Sequence, residues 1–133
     1  MLRRISILTA ASAMVALSAL PASATVMHPK VHSFSIPGLP GVSAWGSYYK
    51  TGKSVSVTVC VKDTAKDIDL ATAIAIASDK SYHHYKGVIA NAFGDGKHAC
   101  KTITAKYTVH LSVSSASVNN KDKAKLSKIK NIY

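Results

Sequence analysis

The chain has 133 residues, a formal charge of +11 and only 17% charged residues. That is room for one domain. It excludes a large multidomain enzyme and a dinucleotide-binding fold, both of which need more chain.

The N-terminal 24 residues stand apart from the rest. Met1-Leu2-Arg3-Arg4 is a short positive start, Ile5 to Leu20 carries no charge, and Ala22-Ser23-Ala24 follows as an A-x-A cleavage site. This is the layout of a secretory signal peptide. The uncharged run falls short of the roughly 20 apolar residues that a membrane span needs. The residues around Arg3-Arg4 match a twin-arginine signal poorly, so ordinary Sec export is favoured. The expectation is a secreted, extracellular protein with no transmembrane segment after cleavage. Without the leader the chain keeps fifteen Lys against six Asp, a balance of +9, with no Arg, Glu or Gln. Arginine is the fork that reads guanine edges and clamps phosphate in two places. Its absence argues against sequence-specific nucleic-acid recognition. Lysine supplies diffuse positive potential instead.

Prolines and glycines punctuate residues 25–41, with Val31 to Ile36 as a short edge strand between them. Val42 to Lys50 has strand composition, and Thr51-Gly52-Lys53 reads as a tight turn. From Ser54 to Lys62 the alternation is unbroken. Val55, Val57, Val59 and Val61 share one side, and Ser54, Ser56, Thr58, Cys60 and Lys62 share the other. Period two in β-branched residues predicts a half-buried strand. Ile68 to Ser78 places its large residues on even positions among alanines, which suits a strand; Asp67 and Asp69 at its start also suit a helix. The strict alternation favours the strand. Residues 79–86 form a polar, aromatic loop, Val88 to Phe93 is a further strand, and Gly94-Asp95-Gly96 predicts a hairpin turn. Cys100 to Val113 alternates again, with Ile103, Ala105, Tyr107, Val109, Leu111 and Val113 on one face.

Two cysteines in an exported chain predict one disulfide, Cys60–Cys100. It closes a loop of about 40 residues, worth roughly 4 kcal/mol by chain entropy. Both cysteines fall on the polar side of their strands. The expected bridge therefore joins neighbouring strands on the outside of one sheet, rather than two sheets through the core. After a linker-like stretch, residues 121–133 carry five Lys and one Asp, with Leu126, Ile129, Ile132 and Tyr133 spaced to share one helical stripe. The division expected is a signal peptide at 1–24, a β-sandwich at 25–113 and a basic C-terminal tail at 114–133.

Each candidate site has a plain alternative. Lys121, Lys123, Lys125, Lys128 and Lys130 point to contact with a polyanion or an anionic membrane; the alternative is a solvated terminus. Tyr82, His83, His84 and Tyr85 form a candidate ligand loop. Six histidines invite the question of metal, but adjacent His83 and His84 point to opposite sides when extended, and Pro29 separates His28 from His32. No metal and no cofactor is expected. Asp63, Asp67 and Asp69 lie together with Lys62 and Lys66 interleaved, which suits turn formation better than calcium. No catalytic residue stands out. Trp45 reads as a core residue.

The run Trp45-Gly46-Ser47-Tyr48-Tyr49 followed by Val57-Thr58-Val59-Cys60-Val61-Lys62-Asp63-Thr64-Ala65-Lys66-Asp67 resembles small secreted proteins of high-GC Gram-positive bacteria, a group generally without an assigned activity. The resemblance spans about half of the chain after the leader. It implies an extracellular β-sandwich and brings no catalytic or binding residues with it. Residues and resemblance together lead us to expect an all-β, single antiparallel β-sandwich of six or seven strands, immunoglobulin-like, with one disulfide. The expected function is non-enzymatic binding outside the cell, to anionic envelope polymers or to another extracellular protein. A small secreted hydrolase and a secreted inhibitor or antibacterial effector are the alternatives.

Overall fold

The computed structural model describes residues 28–67, 69–121 and 123–133. The leader expected at 1–24 lies outside the described residues, as do Ile68 and Asp122. The described elements are all strands: β1 (His32–Leu39), β2 (Val42–Thr51), β3 (Ser54–Asp63), β4 (Leu70–Ser78), β5 (Tyr85–Ala92), β6 (His98–Lys106), β7 (His110–Val118), β8 (Ala124–Leu126) and β9 (Lys130–Asn131). The first sheet has the order β1-β2-β3-β6. The second has β5-β4-β7-β8, with β9 also on β7. Every pairing is antiparallel. The inner faces of the two sheets share one core.

The valine ladder behaves as its alternation requires. Val55, Val57, Val59 and Val61 are buried at the centre of the first sheet. The turn before them is tight because Gly52 takes a left-handed φ of 58°. Cys60 sits directly opposite Cys100 on β6, and the two are bridged with a Cα–Cα distance of 4.1 Å. Their side chains share the outer side with Thr58 and Thr102, whose hydroxyls meet at 2.7 Å. The bridge thus joins neighbours within one sheet, as the polar-side positions of both cysteines predicted. Trp45 is a correction. It lies in register with Cys60 on that outer side and is 40% exposed, because β2 gives its inward positions to Val42, Ala44 and Gly46. Gly46 has no alternative: a Cβ there would lie 2.5 Å from the Phe34 ring.

The second sheet inverts the expected order of size. Residues 70–78 do form a strand, but Ala71, Ala73, Ala75 and Ala77 are its buried side. Ile74 and Ile76 face out, Ile76 with 46% exposure. Small residues here face Val88, Ala90, Leu111 and Val113 on neighbouring strands and the valines of β3 across the core. The small side chains of β4 opposite the valines of β3 let the two layers approach closely.

Three further expectations change. The ribbon from Cys100 to Val113 is two strands in different sheets, broken where Tyr107 takes a φ of 56°. The Tyr107 N–H donates to Lys53 O and the Val109 N–H to Ser78 O, so the chain crosses between the sheets there. Odd positions still face inward on both sides of the break, but Tyr107 and Val109 are exposed. Gly94-Asp95-Gly96 also crosses between sheets instead of closing a hairpin, because β5 and β6 do not share a sheet. Finally, the boundary at 113 falls inside β7, and the last residues form no helical stripe. They run as an extended strap carrying β8 and β9, the two strands beyond the expected seven. Ile132 and Tyr133 pack on the core while Leu126 and Ile129 stay exposed.

Candidate functional site

The outward side of the second sheet carries a row of exposed apolar side chains. Its register places Ile74 between Ile89 and Ser114, and Ile76 between Gly87 and Ser112. Next to these rows lie Tyr85 on β5 and Leu126 on β8. Exposure is 46% for Ile76, 50% for Ile89, 66% for Leu126, 74% for Ile129 and 75% for Tyr85. A groove of about 370 Å³ on this side is lined by Ile74, Ile76, Tyr82, Tyr85 and Ile129 together with Ser78, Ser112, Val113 and Ser114. Neighbouring exposed apolar side chains of this kind make the face a candidate contact surface.

The β4–β5 loop closes one end of this groove. The Asp79 carboxylate accepts from the Ser81 N–H and the Ser81 hydroxyl, both at 3.1 Å. Desolvation pushes that carboxyl up, but the Ser81 and His84 contacts outweigh it and hold the carboxyl below the ordinary aspartate value. The resulting tight turn places Tyr82 at a φ of 58°, its ring stacked on His110 at 4.4 Å. Of the four residues in the candidate ligand loop, Tyr82 and Tyr85 line the groove; His83 and His84 are exposed and do not line it.

The five candidate lysines sit on the C-terminal strap. Asn119 Oδ1 accepts from the N–H groups of Lys121 and Lys123, β8 pairs Lys125 with Ser117, and the Ser127 N–H donates to Ser115 O. Lys121, Lys123, Lys125 and Lys128 are exposed along this edge. Lys130 differs: its Nζ reaches across to β1 and donates to the Ser35 carbonyl at 3.1 Å and the Ser35 hydroxyl at 3.2 Å.

The aspartates serve turns. Asp63 is buried, and its carboxylate accepts from the N–H groups of Ala65 at 3.0 Å and Gly94 at 2.8 Å. Asp67 accepts from the Asp69 N–H, and Asp69 from the Ser117 hydroxyl. Among the described residues, no three His, Cys, Asp or Glu side chains converge as metal ligands.

The sequence reading missed the outward isoleucines. The even-position placement of Leu70, Ile74 and Ile76 was visible, but with alanines on the other side of β4 nothing polar marked which side meets solvent. Comparison with protein-family models, curated proteins and solved structures finds no match.

Proposed function

We propose that this is a secreted, non-enzymatic binding protein that engages polyanionic polymers of a cell envelope. The observation that supports the reading is the pinning of Lys121, Lys123, Lys125 and Lys128 on an ordered strap at one sheet edge. A lysine series on a fixed edge meets a polyanion with little further loss of backbone entropy. Lysines on a sheet edge also discourage strand-to-strand aggregation, which is compatible with the binding role. The fold reading extends in the same way. Adjacency of β3 with β6 in one sheet and of β4 with β7 in the other supports an immunoglobulin-like sandwich. That reading and the resemblance to small secreted proteins agree with export.

The inhibitor alternative needs a binding loop held by the disulfide. The β4–β5 loop belongs to the second sheet, whereas the bridge lies on the outside of the first. The binding reading is tested with long-chain polyphosphate as a lipid-free polyanion. Retention on it should fall steeply between 0.05 and 0.5 M salt, on the order of tenfold or more. The quadruple variant Lys121→Ser/Lys123→Ser/Lys125→Ser/Lys128→Ser should lose most of it. Retention that is insensitive to salt, or equal in the variant, overturns the reading.

A further inference from the structure

We propose that the outward face of the second sheet docks on the surface of a bilayer rich in anionic lipid. The inference deepens the polyanion reading and rests on it for the charge that brings the face to the surface. Three observations carry it.

The first is the inversion of β4. Ala71, Ala73, Ala75 and Ala77 fill the core while Ile74 and Ile76 point outward beside Ile89. Packing fixes alanine inward on β4, but it does not call for isoleucine at the outward positions, where a polar side chain would serve the sandwich as well. Their outward placement leaves an apolar strip ready for a second medium. The second is the composition of the rim. Tyr82 and Tyr85, 63% and 75% exposed, flank the isoleucine strip, and Phe93, 60% exposed, follows the end of the same strand. Aromatic rings with one wet end sit well at the boundary between headgroups and acyl chains. A flat strip of this kind suits shallow insertion at the interface, as amphipathic elements do.

The third is charge. Lys80 lies in the loop whose Tyr82 walls the groove, and Lys128 immediately precedes Ile129 on its opposite wall. Asp79 is the acidic group of the loop, and it is already engaged by Ser81. An anionic surface complements this rim, at on the order of 1 kcal/mol for each lysine near the headgroups. A second copy of the chain does not: fifteen lysines against six aspartates set each copy to repel the other. The two contributions act together, because lysines bring the face to the surface and isoleucines hold it there.

The experiment is cosedimentation of the protein with vesicles of phosphatidylglycerol and phosphatidylcholine in equal parts, and with vesicles of phosphatidylcholine alone, in 0.15 M salt. Binding is expected to the anionic vesicles and to be at least tenfold weaker to the neutral ones. The triple variant Ile76→Ser/Ile89→Ser/Ile129→Ser changes only exposed side chains, so its circular dichroism and thermal midpoint should match the parent. It should lose vesicle binding at least tenfold yet retain polyphosphate binding. Equal vesicle binding by the triple variant overturns the inference and leaves the polyanion reading standing. Absence of vesicle binding by the parent, or a dimer in sedimentation velocity that the triple variant abolishes, also overturns it. Loss of polyphosphate binding by the parent, with vesicle binding intact, instead overturns the polyanion reading alone.

Discussion

Two side chains show how far a single polar group governs this fold. Asp63 ends the valine strand, and its buried carboxylate ties the β3–β4 connection to the β5–β6 crossing through the N–H groups of Ala65 and Gly94. The Gly96 N–H, in turn, donates to the Asp63 carbonyl. Asp63→Ala strands two donors and should cost about 3 kcal/mol, read from urea unfolding. Asp63→Asn keeps one acceptor and should cost about 2 kcal/mol. A pair of variants indistinguishable from the parent would show that water replaces the carboxylate without loss. Tyr133 presents the opposite case. Its ring packs at 5.1 Å from Tyr48 with the Lys50 ammonium 4.0 Å above it, yet its hydroxyl is buried without a partner among the described residues. Burial, with Tyr48 nearby, pushes the phenol above its ordinary 10.0. The folded state therefore holds this proton more tightly than the unfolded chain. Its contribution to stability is complete below about pH 10 and is lost as pH rises through the folded value. Tyr133→Phe should keep the packing, match or exceed the parent at pH 7, and flatten the alkaline limb of a stability profile recorded from pH 8 to 11.

At the scale of the element, alternation was legible and the direction it faces was only half so. The β3 ladder has valines on one side and hydroxyls on the other, so one solution exists, and both cysteines follow from it. In β4 both sides are apolar, and sequence alone offers no polar side to point at water. Size suggests isoleucine inward, but packing density decides for alanine, because the opposite sheet already supplies the valines. The break at Tyr107 was invisible for a related reason. The alternation continues in phase through the crossing, and only long-range partners, the carbonyls of Lys53 and Ser78, redirect the backbone. The inversion makes a prediction that hydrophobicity by itself reverses. Ala75→Leu adds apolar volume to a site with no exposure and should destabilise by about 1–3 kcal/mol through overpacking. Ile76→Ser, the next residue on the same strand, should fall within about 0.5 kcal/mol of the parent. Thermal unfolding of the two variants side by side decides it, and a larger loss for Ile76→Ser would mean that the isoleucine side is the true interior.

For the whole molecule the decisive element is the one that local composition describes least well. The last residues are lysine-rich and follow a serine- and asparagine-rich stretch, so by composition they belong to solvent. What holds them is distributed over distant partners. Ser115 donates its hydroxyl to the Pro37 carbonyl while its N–H takes the Ser127 hydroxyl as acceptor. Lys130 reaches Ser35, and the Leu111 backbone exchanges hydrogen bonds with Tyr133 and Ile132. The strap thus crosses from the edge of the second sheet to β1 of the first and closes the open side of the core, where His32, Phe34 and Tyr48 wait as an aromatic floor. On the β1 side the separations are 95 residues for Lys130 with Ser35 and 78 for Ser115 with Pro37, so no short window of sequence reveals them. A chain ending at Val118 should therefore not behave as a sandwich relieved of a tail. It loses two strands, the tether to β1 and two core-packed side chains worth roughly 1.5–3 kcal/mol each when fully buried, an upper bound for side chains that are only partly so. A domain of this size has about 5–15 kcal/mol in all, so the loss should lower the denaturation midpoint strongly and spread amide-exchange protection losses into β1 and β7. A solvated terminus would leave both quantities unchanged on truncation.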